Sequence, residues 1–228
     1  MSKPVCVVVG IGPKNGAAFA RRFHAAGYSV ALLSRKTEFS EKLVKELGSD
    51  ARAYACDVAD EAAVKAAFSA VTNDLGAVDV LVFNAGSGTW GNIEELDAKA
   101  FEQSWRVNTL GAFLSSKQVI PGMLEKAAGN IVVIGATASL RGKPFTTAFA
   151  PAKAAQRSLA QAMARHLGPK GVHVSLLIID GQIAEPNDAQ QPTTLDPAAI
   201  AEAAYNLTQQ PKSAWTFELD LRPFGENW

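Results

Sequence analysis

The sequence contains few cysteines, no long apolar run and no excess of either charge. Its two cysteines, Cys6 and Cys56, lie in apolar, strand-like segments without metal-ligand spacing, so we expect buried, reduced thiols and no metal site. The 22 basic residues equal the 22 acidic ones, a balance that does not favour binding to nucleic acid or to a membrane surface. No run reaches the roughly 20 apolar residues that span a bilayer, and the N-terminal segment lacks the layout of a signal peptide. We therefore expect a cytoplasmic protein.

Along the 228 residues, short apolar runs alternate with segments of helical periodicity. The first six runs are almost continuously apolar, which is typical of parallel strands that helices cover on both faces. This alternation predicts an α/β fold with a mostly parallel sheet and right-handed crossovers. No linker divides the chain, so residues 1–228 are predicted to form one domain. The predicted strands are Val5–Gly10, Ser29–Ser34, Ala51–Cys56, Val78–Asn84, Asn130–Gly135, Val172–Ile179 and Phe217–Leu221.

The segment Ile183–Thr194 interrupts this alternation after the sixth strand. It is polar and contains Pro186 and Pro192. Long polar connections in compact domains are either functional or passive. The sequence leaves both interpretations open, a mobile lid over a site or a surface loop.

A glycine-rich loop separates the first strand from a helix predicted over Ala17–Ala26. Glycines let the backbone turn tightly and approach a pyrophosphate, and the following helix offers unpaired N–H groups and a positive dipole end. A glycine cluster is a weak signal alone, but here it has the strand before it and the helix after it that dinucleotide binding needs. The residues expected to bind the cofactor in this loop are Gly10, Gly12, Lys14, Asn15 and Gly16.

The end of the second strand predicts which dinucleotide binds. A site selective for NAD carries a carboxylate about 20 residues after the glycines, where it binds the ribose 2′-hydroxyl. Ser34 stands there and Arg35 follows it, and an arginine pairs with a 2′-phosphate that an aspartate would repel. Lys14 is a second cation expected to reach the same phosphate. We therefore predict NADP(H); the alternative is that Arg35 only begins a solvated helix.

The sequence resembles the short-chain dehydrogenase/reductase family over nearly its whole length. The resemblance rests on motifs that follow one another in the family's order. It implies an adenine contact at Asp57 and Val58, and a cofactor contact at Asn84, Ala85 and Gly86, at the end of the fourth strand. It implies that Asn108 is a structural asparagine, which holds a water and the active-site lysine. It also implies a ribose-binding lysine and cofactor contacts after the sixth strand. The corresponding residues are Asp57, Val58, Asn84, Ala85, Gly86, Asn108, Lys153, Gly181 and Ile183.

The resemblance also implies an architecture and an assembly. It predicts a doubly wound Rossmann fold with a seven-stranded, mostly parallel sheet in the order 3-2-1-4-5-6-7 and helices on both faces. A homodimer or homotetramer would form through the helices around 97–126 and 147–168, which are rich in small residues. The partner expected besides another copy is a small-molecule substrate.

The sequence departs from the family's pattern at the catalytic positions. Phe149 stands where the family has its tyrosine, four residues before Lys153, and Ala136 stands where the family has its serine. The pattern best matches a subgroup with an incomplete glycine motif and phenylalanine in place of tyrosine. Further departures are Lys14 for a glycine, Asp180 for a proline and Glu185 for a threonine.

These substitutions remove the usual proton donor. A phenylalanine ring and an alanine methyl carry no hydrogen-bond donor, and loss of a positioned general acid typically lowers a rate by about 10²–10⁴-fold. Lys153 is the best remaining proton source, directly or through a water held by Asn108. The alternative is that Lys153 only binds ribose. Other hydroxyls near the site belong to Thr137, Ser139 and Thr147, and the aromatic side chains expected either in the pocket or in the core are Trp90, Phe145 and Phe149.

Two functions follow, and a third is disfavoured. The first is an NADP(H)-dependent oxidoreductase that moves hydride to or from a small carbonyl or activated alkene by a non-standard proton route. The second is an inactive NADP(H)-binding sensor or scaffold. A non-redox role without nucleotide is disfavoured because Arg35, Asp57 and the motif ending in Gly86 are all present. An open cleft above the nicotinamide position would favour the first function, and a cleft filled by Phe149, Trp90 and the segment Ile183–Thr194 would favour the second.

Overall fold

The computed structural model describes residues 3–185 and 191–226. Seven strands form one sheet in the order β3-β2-β1-β4-β5-β6-β9, and every neighbouring pair is parallel. Because β9 is the seventh strand of this sheet, the predicted order is confirmed. These strands are β1 Val5–Val9, β2 Ser29–Ser34, β3 Ala51–Ala55, β4 Val78–Phe83, β5 Gly129–Ala136, β6 Val172–Ile179 and β9 Glu218–Leu221.

Helices cover both faces of the sheet, as expected for strands that are mostly apolar. Side chains from α3, α5 and α6 share one hydrophobic cluster, and those from α1, α2 and α7 share the other. The helices are α1 Asn15–Ala25, α2 Glu38–Leu47, α3 Glu61–Leu75, α4 Ala98–Trp105, α5 Gly111–Lys126, α6 Phe149–Leu167 and α7 Pro197–Thr208. A π-helical turn, Arg106–Leu110, joins α4 to α5.

Local sequence explains where these elements begin. Asp60 and Asp196 cap α3 and α7, because each carboxylate accepts a hydrogen bond from backbone N–H groups in the first turn. In β1, alternate residues face opposite clusters, so the strand is buried on both sides. Cys6 and Cys56 are buried and form no disulfide. Among the described residues no helix is long and apolar enough to cross a membrane.

Two elements differ from the sequence prediction. Helix α1 begins at Asn15 rather than Ala17, and Gly16 lies in its first turn, where a Cβ would be 2.6 Å from the Gly10 carbonyl oxygen. Part of the predicted lid is regular: β7, Gln182–Ile183, pairs in parallel with β8, Thr194–Leu195. The middle of the lid, residues 186–190, lies outside the described residues.

Candidate active site

The glycine loop is packed against the end of β4. Gly10 has φ of +94°, and a Cβ there would lie 2.5 Å from the Ala85 nitrogen. Asn84 fixes the loop from the other side, because its Nδ2 donates to the Gly10 carbonyl over 2.7 Å. Gly12, by contrast, has no described atom other than those of its chain neighbours within 4 Å of a Cβ placed on it. The loop is therefore closed against β4 at Gly10 and open at Gly12, the position where a phosphate could approach.

The difference between these two glycines leads to a stability prediction. We expect Gly10→Ala to lower the free energy of unfolding by at least about 2 kcal/mol, because it adds both left-handed strain and an overlap with backbone. The matched control is Gly12→Ala, which should unfold like the wild type and weaken only nucleotide binding. Urea denaturation of both variants measures this. Equal stability of the two variants would contradict the packing described for Gly10.

The first of two cavities beside this loop is the Arg35 cavity, with a volume of about 500 Å³. It gathers the residues predicted for the adenosine half of a dinucleotide. The Ser34 hydroxyl bonds to the Lys36 carbonyl and to Ser40, so it is held within the chain, while Arg35 is exposed at the rim. Asp57 accepts a hydrogen bond from the Ala59 N–H. The lining residues include Gly10, Gly12, Ser34, Arg35, Asp57, Val58, Asn84, Ala85 and Gly86.

Lys14 does not join Arg35, contrary to the sequence expectation. Its ammonium donates to the Ile183 carbonyl at 3.0 Å and forms an ion pair with Glu185 at 2.6 Å. It lines a different groove, between α1 and α7. The Lys14 ammonium lies on this side because its ion-pair partner, Glu185, belongs to the segment after β7. The two departures from the family's pattern, Lys14 and Glu185, are thus paired with each other and join the glycine loop to the predicted lid.

The second cavity is the Lys153 cavity, with a volume of about 430 Å³. Lys153 is buried, and its Nζ donates to the Ile134 carbonyl at 2.9 Å and to Gln156 Oε1 at 3.0 Å. Burial lowers the pKa of Lys153 from 10.5 to about 8, because the charged form is poorly solvated. The side chain is therefore an acid that can give up a proton near neutral pH. Ala136, Phe149, Gly181 and Ile183 also line this cavity.

Gln156 links Lys153 to Asn108, and the sequence analysis did not identify it. Its Nε2 donates 2.8 Å to the backbone carbonyl of Asn108, while its Oε1 accepts from Lys153. The Asn108 side chain is committed elsewhere, to backbone groups of Ser87 and Ser104. Asn108 thus acts on Lys153 through the Gln156 amide rather than directly. The three-residue spacing from Lys153 on a helix was the available signal.

Two of the three aromatic candidates form one wall of the Lys153 cavity. The Trp90 and Phe149 rings lie 5.1 Å apart, and the Lys153 ammonium is 5.8 Å from the centre of the Phe149 ring. Phe145 is 63 % exposed and does not line this cavity. The aromatic side chains narrow the described cleft without filling it.

The hydroxyl candidates do not replace the missing donors. Thr137 lines the cavity, but its hydroxyl donates to the Asp180 carboxylate over 2.9 Å. Thr147 is near the Pro144 carbonyl, and the buried Ser139 hydroxyl has no hydrogen-bond partner among the described residues and lies outside the cavity lining. Within the part of the chain that the structure describes, no group of three His, Cys, Asp or Glu side chains could hold a metal ion. Lys153 is therefore the buried acid that this cleft offers.

The residues present fit a dinucleotide. The Gly12 position is open among the described residues, and Asn15, in the first turn of α1, lines the Lys153 cavity. Asn15 Oδ1 is buried there without a hydrogen-bond partner among the described residues, although Asn15 lines the Lys153 cavity. A buried polar atom without a partner is costly, and a bound polar ligand would relieve that cost.

Comparisons with known proteins agree with this geometry. A family model described as short chain dehydrogenase matches residues 4–191. The chain is 36% identical over 172 residues to a protein of Xanthobacter autotrophicus named inactive 2-(S)-hydroxypropyl-CoM dehydrogenase 2, covering 75% of this chain and 74% of that one. It is also similar to a short-chain dehydrogenase structure from Rhodopseudomonas palustris, with TM-score 0.86 and 37% identity over 96% of this chain and 98% of that one. An alcohol dehydrogenase from Thermococcus sibiricus complexed with 5-hydroxy-NADP gives TM-score 0.90 and 28% identity, with 99% of both chains covered.

Proposed function

Because this chain belongs to the short-chain dehydrogenase family, we propose that it is an NADP(H)-dependent oxidoreductase acting on a small carbonyl or an activated alkene. The observation that carries the proposal is Lys153, a buried ammonium with a pKa of about 8 in a cavity that the described residues line without filling. NADP(H), when bound, supplies or accepts the hydride. The chain's part is to hold the two reactants together and to move the proton.

The Arg35 cavity would bind the adenosine half of NADP(H), and the Lys153 cavity would bind the nicotinamide end. Arg35 would pair with a 2′-phosphate, and Asp57 and Val58, which line the same cavity, would border the adenine. The glycine loop and the first turn of α1 would receive the pyrophosphate. Gly181 and Ile183 would border the nicotinamide end. Lys14, which contacts Ile183 and Glu185 in this structure, would be the second cation for the 2′-phosphate.

The proton route follows from the contacts of Lys153. Its ammonium is oriented by the Ile134 carbonyl and the Gln156 amide, and both contacts stabilise the protonated form. In reduction, Lys153 would give a proton to the developing oxyanion or carbanion. An activated alkene needs this help least, because resonance already stabilises its carbanion.

Three further assignments belong to this proposal. The chain fits the subgroup with phenylalanine before the lysine and an incomplete glycine motif. It would assemble as a homodimer or homotetramer through α4, α5 and α6, where Phe101, Trp105 and Phe113 are large, partly exposed side chains. It would act in the cytoplasm.

A second candidate function is an inactive NADP(H)-binding sensor or scaffold. One observation favours it, the similarity to a relative whose name carries the word inactive. In this case the chain would bind the nucleotide tightly and turn over no acceptor.

The test is binding of NADPH and NADH by fluorescence titration, followed by NADPH oxidation over a panel of carbonyls and enones. We expect NADPH to bind at least about 10-fold tighter than NADH, and Arg35→Ala to remove that preference, because a hydrogen bond to a charged group contributes about 1.5–3 kcal/mol. Lys36→Ala, which changes the neighbouring exposed cation, is the matched control. Selective binding with turnover supports the enzyme. Selective binding without turnover favours the sensor, and binding of neither nucleotide contradicts both.

A further inference from the structure

We propose that the substrate is a carboxylate, a small oxo or enoic acid whose anionic group is bound by Arg141 and Lys143 at the Lys153 cavity. The inference rests on the proposed function, because it assigns the second reactant of the same site. It starts from the charges that surround the cavity. The ionisable side chains among its described lining residues are Arg141, Lys143 and Lys153, and all three are cationic.

Arg141 is positioned by a buried acid that leaves its hydrogen-bond donors available. Its guanidinium lies 3.9 Å from Asp180, too far for a hydrogen bond and close enough for attraction. Asp180 is itself fixed, because it accepts a hydrogen bond from the Thr137 hydroxyl and has a second arginine, Arg222, at 3.6 Å. Arg141 makes no side-chain hydrogen bond to any other described residue and is half exposed at the cavity. Its planar fork matches a carboxylate.

The contacts of Asp180 explain why an acid stands at this position, which hydride transfer from a nicotinamide does not require. Asp180 stands where the resembling family has a proline after the sixth strand. A proline could not accept the Thr137 hydroxyl or attract an arginine. The acid holds Thr137 and Arg141 on the same side of the cavity, next to Ala136 at the end of β5.

Lys143 supplies the second charge from a rigid piece of loop. Its backbone N–H donates to the Thr146 hydroxyl at 2.8 Å, and its carbonyl accepts from both the hydroxyl and the N–H of Thr146. No described carboxylate lies within ion-pair distance of its ammonium. The loop carrying Arg141 and Lys143 leads directly into α6, which carries Phe149 and Lys153. Binding a carboxylate there would therefore place the rest of a short substrate between the aromatic wall and Lys153.

The experiment compares acids with their methyl esters. Short 2-, 3- and 4-oxo acids and the matching enoic acids are assayed with NADPH beside the neutral esters, in the wild type, Arg141→Gln and Lys143→Gln. A hydrogen bond to a charged group corresponds to roughly 10-fold to 100-fold in affinity. We therefore expect kcat/KM for the acid to exceed kcat/KM for its methyl ester by at least about 10-fold. Arg141→Gln should remove most of the preference by raising KM for the acid, with the ester unaffected. Lys65→Gln, an exposed cation on α3, is the control for charge alone.

Binding is measured separately from turnover, so that the two proposals can fail separately. Isothermal titration of butanoate into the NADP⁺-loaded protein should show binding that Arg141→Gln weakens and Lys65→Gln does not. Such binding without turnover of any acid or ester would leave the carboxylate subsite standing and contradict the oxidoreductase. Equal turnover of acids and esters would overturn the subsite and retain the oxidoreductase. Absence of both butanoate binding and turnover would overturn both.

Discussion

The Phe149→Tyr, Ala136→Ser double variant is expected to reduce small ketones about 10²–10⁴-fold faster than the wild type, the range by which a positioned general acid typically accelerates a reaction. Both positions line the Lys153 cavity, and the Phe149 ring centre lies 5.8 Å from the Lys153 ammonium. A phenol there would be close enough to the ammonium for the positive charge to lower the pKa of the phenol. The serine would add a donor to the carbonyl oxygen at the end of β5.

The single variants separate the two contributions. Phe149→Tyr should account for most of the gain, because it adds a phenolic acid beside Lys153, and Ala136→Ser alone should add the smaller contribution of one donor to the carbonyl oxygen. Phe149→Leu, which removes the ring without adding a hydroxyl, controls for the changed volume beside Trp90. Initial rates of NADPH oxidation with a neutral ketone measure all four proteins. No gain in the double variant would contradict the idea that only the acid and the oxyanion donor are missing, and would indicate that substrate position has changed as well.

The strands of the fold can be predicted from the sequence because a buried strand is a short run of mostly apolar residues. The first six runs are mostly apolar, and the structure places each of them in the sheet within one residue at either end. The glycine loop was equally readable, because Gly10 and Gly16 meet steric limits that only glycine satisfies. Strand order came from family resemblance, since apolar periodicity does not specify which strands become neighbours.

The site was readable only in part, because its decisive contacts join distant segments. Lys14 was assigned to the 2′-phosphate from its place in the loop, yet a carboxylate 171 positions later holds it on the other side. Nothing in the local pattern around Lys14 shows Glu185. Gln156 was missed for a different reason: a glutamine on a helix is usually a solvated residue, and only the fold shows that this one is buried between Lys153 and Asn108.

The second large effect concerns Lys153 itself. At saturating NADPH, Lys153→Met is expected to lower kcat for reduction by about 10²–10⁴-fold, since it removes the acid that the cavity offers. Lys65→Met, on the exposed face of α3, should leave kcat unchanged. If Lys153 only binds ribose, the variant would instead raise KM for NADPH and retain kcat. The division between kcat and KM therefore decides between the two roles.

The pH profile tests the same role without removing the lysine. Because Lys153 has a pKa of about 8, kcat for reduction should fall as pH rises through 8, and kcat for oxidation, which needs the neutral amine, should rise over the same range. Gln156 stabilises the ammonium through Oε1, so Gln156→Leu should move both midpoints down by about one pH unit.

Replacing the amide by a carboxylate should act in the opposite direction. Gln156→Glu puts a negative charge beside the ammonium and should move both midpoints above those of the wild type. A merely structural role for Gln156 would lower activity in both variants and leave the midpoints where they are. Opposite shifts would show that the Gln156 side chain positions Lys153 and sets the pH at which it gives up its proton.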